Sequence, residues 1–152
     1  MKNNNLMNKK DIFTSELHMN FEVSKSAAQV FEYISKPDLF VSIHPVIYDI
    51  NEKADGSLHI YERLRFIGVP FSFNYPASIS SDKNDLIVSM KAVVFRLISL
   101  NLLFEIRESA NGTMISEHVY LKGVYPAHPI IKSVFRKQHK ALFENIDGMA
   151  TV

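Results

Sequence analysis

LHIYERLRF, residues 58–66, decides the fold. Its alternate positions are apolar except for Glu62, which stands in the middle of Leu58, Ile60, Leu64 and Phe66. Alternation with a period of two predicts a strand with one buried face. An ionised carboxylate buried without a partner is costly, so we expect this face to line a ligand cavity as well as a packed core. The open alternatives are a bulge that turns Glu62 outward or an arginine that pairs with it.

Turn residues bound this strand on both sides. Asp55-Gly56 precedes it, and Gly68-Val69-Pro70 follows it. Short turns between alternating runs predict antiparallel neighbours rather than crossover units. The other predicted strands lie at 13–23, 46–53, 71–79, 86–94, 97–109 and 113–123.

Helical spacing of apolar residues occurs in three places. Residues 24–35 predict a helix with Ser24 or Ser26 as N-cap, and a second short helix begins near Pro37 and stops at Pro45. The last helix is predicted from about 129 to 147, with Gly148 as C-cap. The residues of this helix that we expect to face the sheet are Ile131, Val134, Phe135, Gln138, Leu142 and Ile146.

These elements predict an α+β fold. About seven antiparallel strands form a curved sheet wrapped around the long C-terminal helix, and two short helices follow strand 1. Residues 1–12 are predicted to be a flexible lead-in, and 13–152 a single domain.

Composition excludes several classes of function. The chain has 152 residues, a formal net charge of +1 and no cysteine, which excludes disulfides, thiolate metal sites and cysteine nucleophiles. The six histidines lack metal-site spacing, and we predict no metal and no cofactor. The sequence shows no concentrated cluster of basic residues of the kind that binds nucleic acid. Without a signal sequence or a membrane span, the expected location is cytoplasmic.

Three stretches resemble the START-like, or Bet v 1-like, superfamily (SRPBCC), in its polyketide cyclase/dehydrase-like branch. AAQVFEYISKPDLFVSIHP is similar to the family's helix pair, NGTMISEHVYLKG to its last strand, and FRKQHKALFENIDGM to its closing helix. The family's tryptophan near the helix pair is absent, and Phe40 or His44 stands in its place.

The resemblance covers about 13–147 and implies a helix-grip fold with a cavity between the sheet and the long helix. In that family the cavity takes in sterols, lipids, polyketides or plant hormones, so the implied partner is an apolar small molecule. The same fold hosts enzymes, carriers and interaction modules, and the fold alone does not select among them.

Glu62 and Glu117 are the candidate catalytic residues. Desolvation would raise the pKa of Glu62 and make it a general acid or a hydrogen-bond donor to a ligand. Glu117 lies on the more apolar face of its strand, so we expect it to point inward and His118 outward. Two inward carboxylates would divide acid and base roles, provided that the sheet curls enough to bring the third and seventh strands together.

Inward positions of the predicted elements supply the candidate ligand-binding residues. Tyr75 and Gln138 offer polar atoms in an apolar setting, which is the combination that orients a ligand. Simple core packing is an alternative explanation for Tyr75 and for the apolar residues of the set. The full set is Phe31, Phe40, His44, Ile60, Glu62, Leu64, Phe71, Phe73, Tyr75, Val88, Met90, Leu102, Phe104, Glu117, Val119, Phe135, Gln138 and Leu142.

Three hypotheses about function follow. The first is a binder of an apolar small molecule, and the second is a cyclase- or dehydratase-like enzyme that uses Glu62 and Glu117. The third is an interaction module with a solid interior. A basic stripe on the last helix, Lys132, Arg136 and Lys140, also predicts weak contact with an anionic membrane surface.

Overall fold

The computed structural model describes residues 12–124 and 126–149, apart from the side chain of Phe66. The predicted lead-in lies outside the described residues except for Ile12. The elements, in chain order, are β1 (Ile12–Val23), α1 (Ala27–Ser35), α2 (Pro37–Ile43), β2 (Ile47–Glu52), β3 (Leu58–Phe66), β4 (Val69–Asp82), β5 (Ile87–Val94), β6 (Ile98–Ser109), β7 (Gly112–Val124) and α3 (Ala127–Gly148).

The strands form one antiparallel sheet in the order β1-β7-β6-β5-β4-β3-β2. Consecutive strands pair from β2 to β7, and β1 pairs with β7 along its whole length. The inner face and the helices bury a continuous apolar core. The predicted α+β helix-grip architecture is therefore confirmed, with two short helices after β1 and a long helix at the end.

Local sequence signals position the helix pair. Ser26 is the N-cap of α1 and forms a capping box with Gln29, while Pro37 occupies the first turn of α2. Ser24, the other predicted cap, instead donates two hydrogen bonds to the carboxylate of Asp147, from its N–H at 2.7 Å and its hydroxyl at 2.8 Å. The start of α1 is thereby tied to the end of α3.

Two predicted boundaries are wrong. Gly148 is the last residue of α3 and not its C-cap, because Met149 ends the helix in extended backbone, with φ −72° and ψ 139°. The turn expected at 68–70 is made by Ile67 and Gly68, both with positive φ, and Val69 already belongs to β4.

The two ends of α3 are held differently. Its C-terminal end is fixed by Ser24, by Lys25, whose ammonium reaches the Met149 carbonyl at 2.5 Å, and by Asn145, which donates to the Ile43 carbonyl at 2.8 Å. At its N-terminal end, Pro126 provides no side-chain cap. Between His128 and His139 the helix side chains are half-buried or exposed, and Ile131 and Phe135 among them pack against the buried core.

Among the helices that the structure describes, none is long and apolar enough to cross a membrane.

Candidate functional site

Glu62 lies inside the protein, as its place in the β3 pattern indicates. Its side chain is 8% exposed. On the adjacent strand β4, Tyr75 is buried beside it, and the Tyr75 hydroxyl donates a hydrogen bond to Oε2 of Glu62 at 2.8 Å. Glu62 and Tyr75 thus form a hydrogen-bonded pair on the inner face of the sheet, a contact that the sequence did not predict.

Burial sets the protonation of this pair. Burial is the largest effect and raises the pKa of Glu62. Hydrogen bonds from Tyr75 and Gln138 and the charge of His139 lower that pKa by a smaller amount. Burial also raises the pKa of Tyr75 well above its usual value, and the negative charge of Glu62 adds to that effect. Tyr75 therefore remains a hydrogen-bond donor, and Glu62 accepts a proton more readily than an exposed glutamate.

Glu117 forms a second buried polar pair, with His139 of α3. Glu117 is 0% exposed and His139 is 2% exposed. The Nδ1–H of His139 donates to Oε2 of Glu117 at 2.8 Å. Oε1 lies 2.6 Å from the same nitrogen but outside hydrogen-bonding geometry, so it has a short contact without a hydrogen bond of its own. Both carboxylate oxygens thus face the imidazole.

His139 interacts with both buried carboxyl groups, Glu117 and Glu62, and it was not among the predicted site residues. Because the charge of His139 lowers the pKa of Glu62, its imidazole lies close enough for an electrostatic effect on the other carboxylate. We call the resulting set the polar row: Tyr75, Glu62, Gln138, His139 and Glu117. The signal that was available is the spacing of Phe135, His139, Leu142 and Ile146 at four, three and four residues, which places His139 on the inner stripe.

The hydrogen bond to Glu117 also determines the tautomer of His139. With its proton on Nδ1, a neutral imidazole presents a lone pair at Nε2. Within the described residues, Nε2 makes no hydrogen bond. In its neutral form His139 therefore presents a lone pair at Nε2, and Glu62 is a carboxyl group whose pKa is raised by burial.

His44 contributes a neutral imidazole at the end of α2. Its Nδ1 accepts hydrogen bonds from the backbone N–H groups of Val46 at 3.3 Å and Ile47 at 3.0 Å, which only an unprotonated nitrogen can do. Its ring centre lies 6.0 Å from that of His139. Burial lowers the pKa of His44 well below its usual value, and the nearby His139 lowers it further.

We expect stability to fall with acidification because of His44. The unfolded chain binds a proton at this position below about pH 6.5 while the folded protein does not, so the folded state loses up to about 1.4 kcal/mol per pH unit below that value. The variant His44→Asn supplies an acceptor that does not titrate. Urea unfolding at pH 7.5 and 5.5 should therefore show about 1 kcal/mol less acid destabilisation in the variant. An identical pH dependence in both proteins would contradict the assignment.

An aromatic ladder leads from the polar row to the surface. The rings of Phe71, Phe73 and Tyr75 follow one another along β4, with centroid distances of 5.5 and 5.8 Å. Phe95, in the β5–β6 turn, lies 5.2 Å from Phe73 and 6.1 Å from Phe71. Burial falls along the ladder, from buried Tyr75 to half-buried Phe73 and exposed Phe71. The ladder thus connects Glu62 with the end of the sheet.

The predicted lining residues fall into three groups by burial. Only Phe71 is exposed. The half-buried residues are His44, Leu64, Phe73, Phe135 and Gln138. The others are buried: Phe31, Phe40, Ile60, Glu62, Tyr75, Val88, Met90, Leu102, Phe104, Glu117, Val119 and Leu142.

Two open grooves of about 410 Å³ each lie where α3 runs beside β1. The first is lined by Phe13, Thr14, Ser15, His128, Pro129, Lys132 and Arg136, and the second by Met19, Asn20, Phe21, Arg136 and Lys140. Neither is lined by a member of the polar row. The predicted basic stripe of α3 therefore borders these grooves on the β1 side.

The remaining histidines serve structural contacts. On the outer face of the sheet, Nδ1 of His18 lies 2.6 Å from Nδ1 of His118. His128 is buried, donates from Nε2 to the Gly123 carbonyl at 3.0 Å and accepts at Nδ1 from the hydroxyl of Ser15 at 2.7 Å. Among the described residues, no group of three or more histidine or acidic side chains is arranged to hold a metal ion.

Comparisons with known proteins identify the fold. No family model and no curated protein matches the chain. Solved structures do match. A protein of unknown function from Staphylococcus aureus has a TM-score of 0.67 and 13% identity, over 91% of this chain and 97% of that one. Norcoclaurine synthase from Thalictrum flavum, in complex with dopamine and hydroxybenzaldehyde, has a TM-score of 0.68 and 13% identity, over 100% and 97%.

The di-domain ARO/CYC protein StfQ, from the steffimycin biosynthetic pathway, also matches. Its TM-score is 0.67 at 9% identity, and the match covers 93% of this chain and 51% of StfQ. At such identities the likeness shows the fold alone. That fold is the helix-grip fold that the sequence predicts.

Proposed function

We propose that the protein binds an apolar small molecule that carries a carbonyl or hydroxyl oxygen. The ligand lies between the inner face of the sheet and the uncapped half of α3. The polar row is the observation on which this proposal rests, since it draws buried polar side chains from β3, β4, β7 and α3 into an apolar interior. A few convergent polar groups in an apolar setting are typical of ligand sites, where they fix orientation.

Half-buried apolar side chains on β3, β4 and α3 support an apolar ligand. Leu64, Phe73 and Phe135 are half-buried, so solvent reaches apolar side chains that belong to the inner face. A bound apolar molecule would remove that surface from water, which is favourable in proportion to the area covered. Norcoclaurine synthase, which shares the fold, has been solved with dopamine and hydroxybenzaldehyde, and this supports a small-molecule ligand.

Fluorenone and fluorene test the proposal, because the two planar compounds differ mainly by one carbonyl oxygen. We expect the protein to bind fluorenone about 5- to 10-fold more tightly than fluorene, the value of one buried hydrogen bond. The double variant Glu62→Leu with Tyr75→Phe, which removes the carboxyl group and the hydroxyl donor beside it, should lose this preference. Displacement of the apolar dye Nile red measures both affinities.

Glu52→Leu is the matched control, since Glu52 is exposed at the end of the adjacent strand β2 and should keep the preference. Absence of binding for both compounds would overturn the proposal and favour a solid interaction module. Native mass spectrometry of protein purified from its own cells then identifies the natural ligand.

An acid–base enzyme is the second candidate, favoured by the hydrogen bond between His139 and Glu117. It leaves Nε2 of His139 as the base and makes Glu117 a positioning residue, while Glu62 acts as the acid. The variant Glu62→Gln distinguishes an acid–base enzyme from a ligand carrier. An enzyme loses turnover and keeps its affinity for the substrate, whereas a carrier changes only in affinity.

A further inference from the structure

The exposed apolar side chains concentrate at one end of the molecule. In the described part of the chain, every large apolar side chain that is exposed lies there, except Tyr48 and Tyr120. This end comprises the β3–β4 and β5–β6 turns, the start of β1, the end of β7 and the start of α3. We call it the apolar end, after Ile67, Val69, Phe71, Phe95, Leu97 and Ile130.

The β3–β4 hairpin projects beyond the rest of the sheet. The pairing of β4 with β5 begins at Ala77, so residues 69–76 pair with β3 alone. Ile67, at the tip, is 87% exposed. A two-stranded ribbon by itself is marginally stable in water, and this one carries apolar side chains that no further strand covers. A narrow projecting hairpin with an apolar tip can insert into an apolar layer.

The residues in the two turns oppose local backbone preference. Ile67 and Gly68 have φ of 51° and 75°, and Phe95 and Arg96 have φ of 54° and 58°. Two-residue hairpin turns with positive φ at both positions favour Asn-Gly or Asp-Gly, and a β-branched residue there is an outlier. Phe95 packs against Phe71 and Phe73, whereas neither turn preference nor a ring contact explains why Ile67 occupies its turn.

The charges around the apolar end have one sign. Residues 63–81, 86–104, 118–124 and 126–143 contain no aspartate or glutamate. The basic residues in these segments are Arg63, Arg65, Lys91, Arg96, Lys122, Lys132, Arg136, Lys137 and Lys140. A second copy of the same face would be repelled by these charges, whereas an anionic lipid surface complements them.

We propose that the apolar end docks on an anionic lipid bilayer. Ile67 and Phe95 insert among the acyl chains, and Arg65, Arg96 and Lys132 lie at the headgroups. Docking is independent of the ligand site. If the proposed function also holds, the aromatic ladder provides an apolar route from the bilayer to the polar row.

Vesicle flotation with the full chain tests this surface. We expect binding to phosphatidylcholine vesicles that contain about one third phosphatidylserine, roughly 10-fold stronger than to pure phosphatidylcholine and weaker at high salt. Replacing Ile67→Asn and Phe95→Asn together should weaken binding about 10-fold or more. Asparagine tolerates positive φ, which offsets part of the loss of the Phe95 contacts with Phe71 and Phe73, so thermal unfolding should show that the variant still folds cooperatively.

Tyr120→Asn is the control, because Tyr120 is exposed on the outer face of β7, away from the apolar end, and should leave binding unchanged. Absence of vesicle binding, or binding that the paired asparagine substitutions leave intact, would overturn the proposal. So would a concentration-dependent dimer in sedimentation velocity that the same substitutions dissociate, since the occupant would then be a second copy. Fluorenone binding is measured separately, so failure of docking and failure of the ligand site are distinguishable.

Discussion

Replacing His139 by leucine is expected to lower the free energy of unfolding by about 3–5 kcal/mol, because the carboxylate of Glu117 is then left buried without a partner. Glu117 is fully buried and Nδ1 of His139 lies within 2.8 Å of both its oxygens. Urea unfolding at neutral pH, followed by circular dichroism, measures the loss.

The paired substitution distinguishes a broken pair from lost packing. Glu117→Met alone leaves the imidazole N–H without an acceptor, which costs about 1–3 kcal/mol. Replacing both residues, Glu117→Met with His139→Leu, substitutes an apolar contact and is expected to be within about 1 kcal/mol of the original protein or more stable. Losses that simply add in the double variant would contradict this, since they would show that the two residues act independently.

The double variant also separates stability from function. A buried ion pair or hydrogen-bonded pair is weak evidence for stability, because apolar replacements often fold as well. If the double variant keeps the fold, its fluorenone preference reports on the ligand site alone. Retention of the pair in this chain would then be explained by its place in the polar row.

The sheet and Glu62 could be predicted because both depend on local periodicity. Alternation along 58–66 places Glu62 on the buried face whatever lies opposite it, and turn residues at Asp55-Gly56 set the antiparallel order. The inward orientation of Glu117 followed from the same rule. In each case the two-residue period of the strand determines on which face of the sheet the side chain lies, whatever tertiary contacts it makes there.

Other features depend on contacts that the sequence does not display. The helical spacing places His139 on the inner stripe, but the sequence does not show that Glu117 of β7 is its partner. The turns at Ile67 and Phe95 contradict the residue preferences from which turns are predicted. The grooves beside β1 depend on the spacing between β1 and α3, which no local pattern encodes.

Gly112 is the position where adding one methyl group should disturb the anchored end of α3. Its φ is +143°, and a Cβ placed there would lie 2.1 Å from the carbonyl oxygen of Val23 and 2.9 Å from Cα of Ser24. The neighbouring Thr113 hydroxyl donates to the carbonyl of Lys25 at 2.6 Å. The β6–β7 hairpin therefore packs directly on the segment whose Ser24 holds Asp147 of α3.

We expect Gly112→Ala to lower the free energy of unfolding by about 2–5 kcal/mol. Strain from the positive φ contributes about 1–2 kcal/mol, and the clash with backbone that cannot move away adds about 1–3 kcal/mol. In a chain of this length, that corresponds to a fall of roughly 5–15 °C in Tm. Differential scanning calorimetry measures the shift.

Gly56→Ala is the matched control, because Gly56 also has a positive φ, +83°, but an added Cβ there meets nothing within 4 Å. It should show the strain alone, about 1–2 kcal/mol. Equal losses at both glycines would contradict the role of the close approach. A larger loss at Gly112 would assign the difference to the contact that anchors α3. The C-terminal end of that helix is then fixed through the segment between β1 and α1, as its first turn is fixed by the hydrogen bonds of His128 to Ser15 and Gly123.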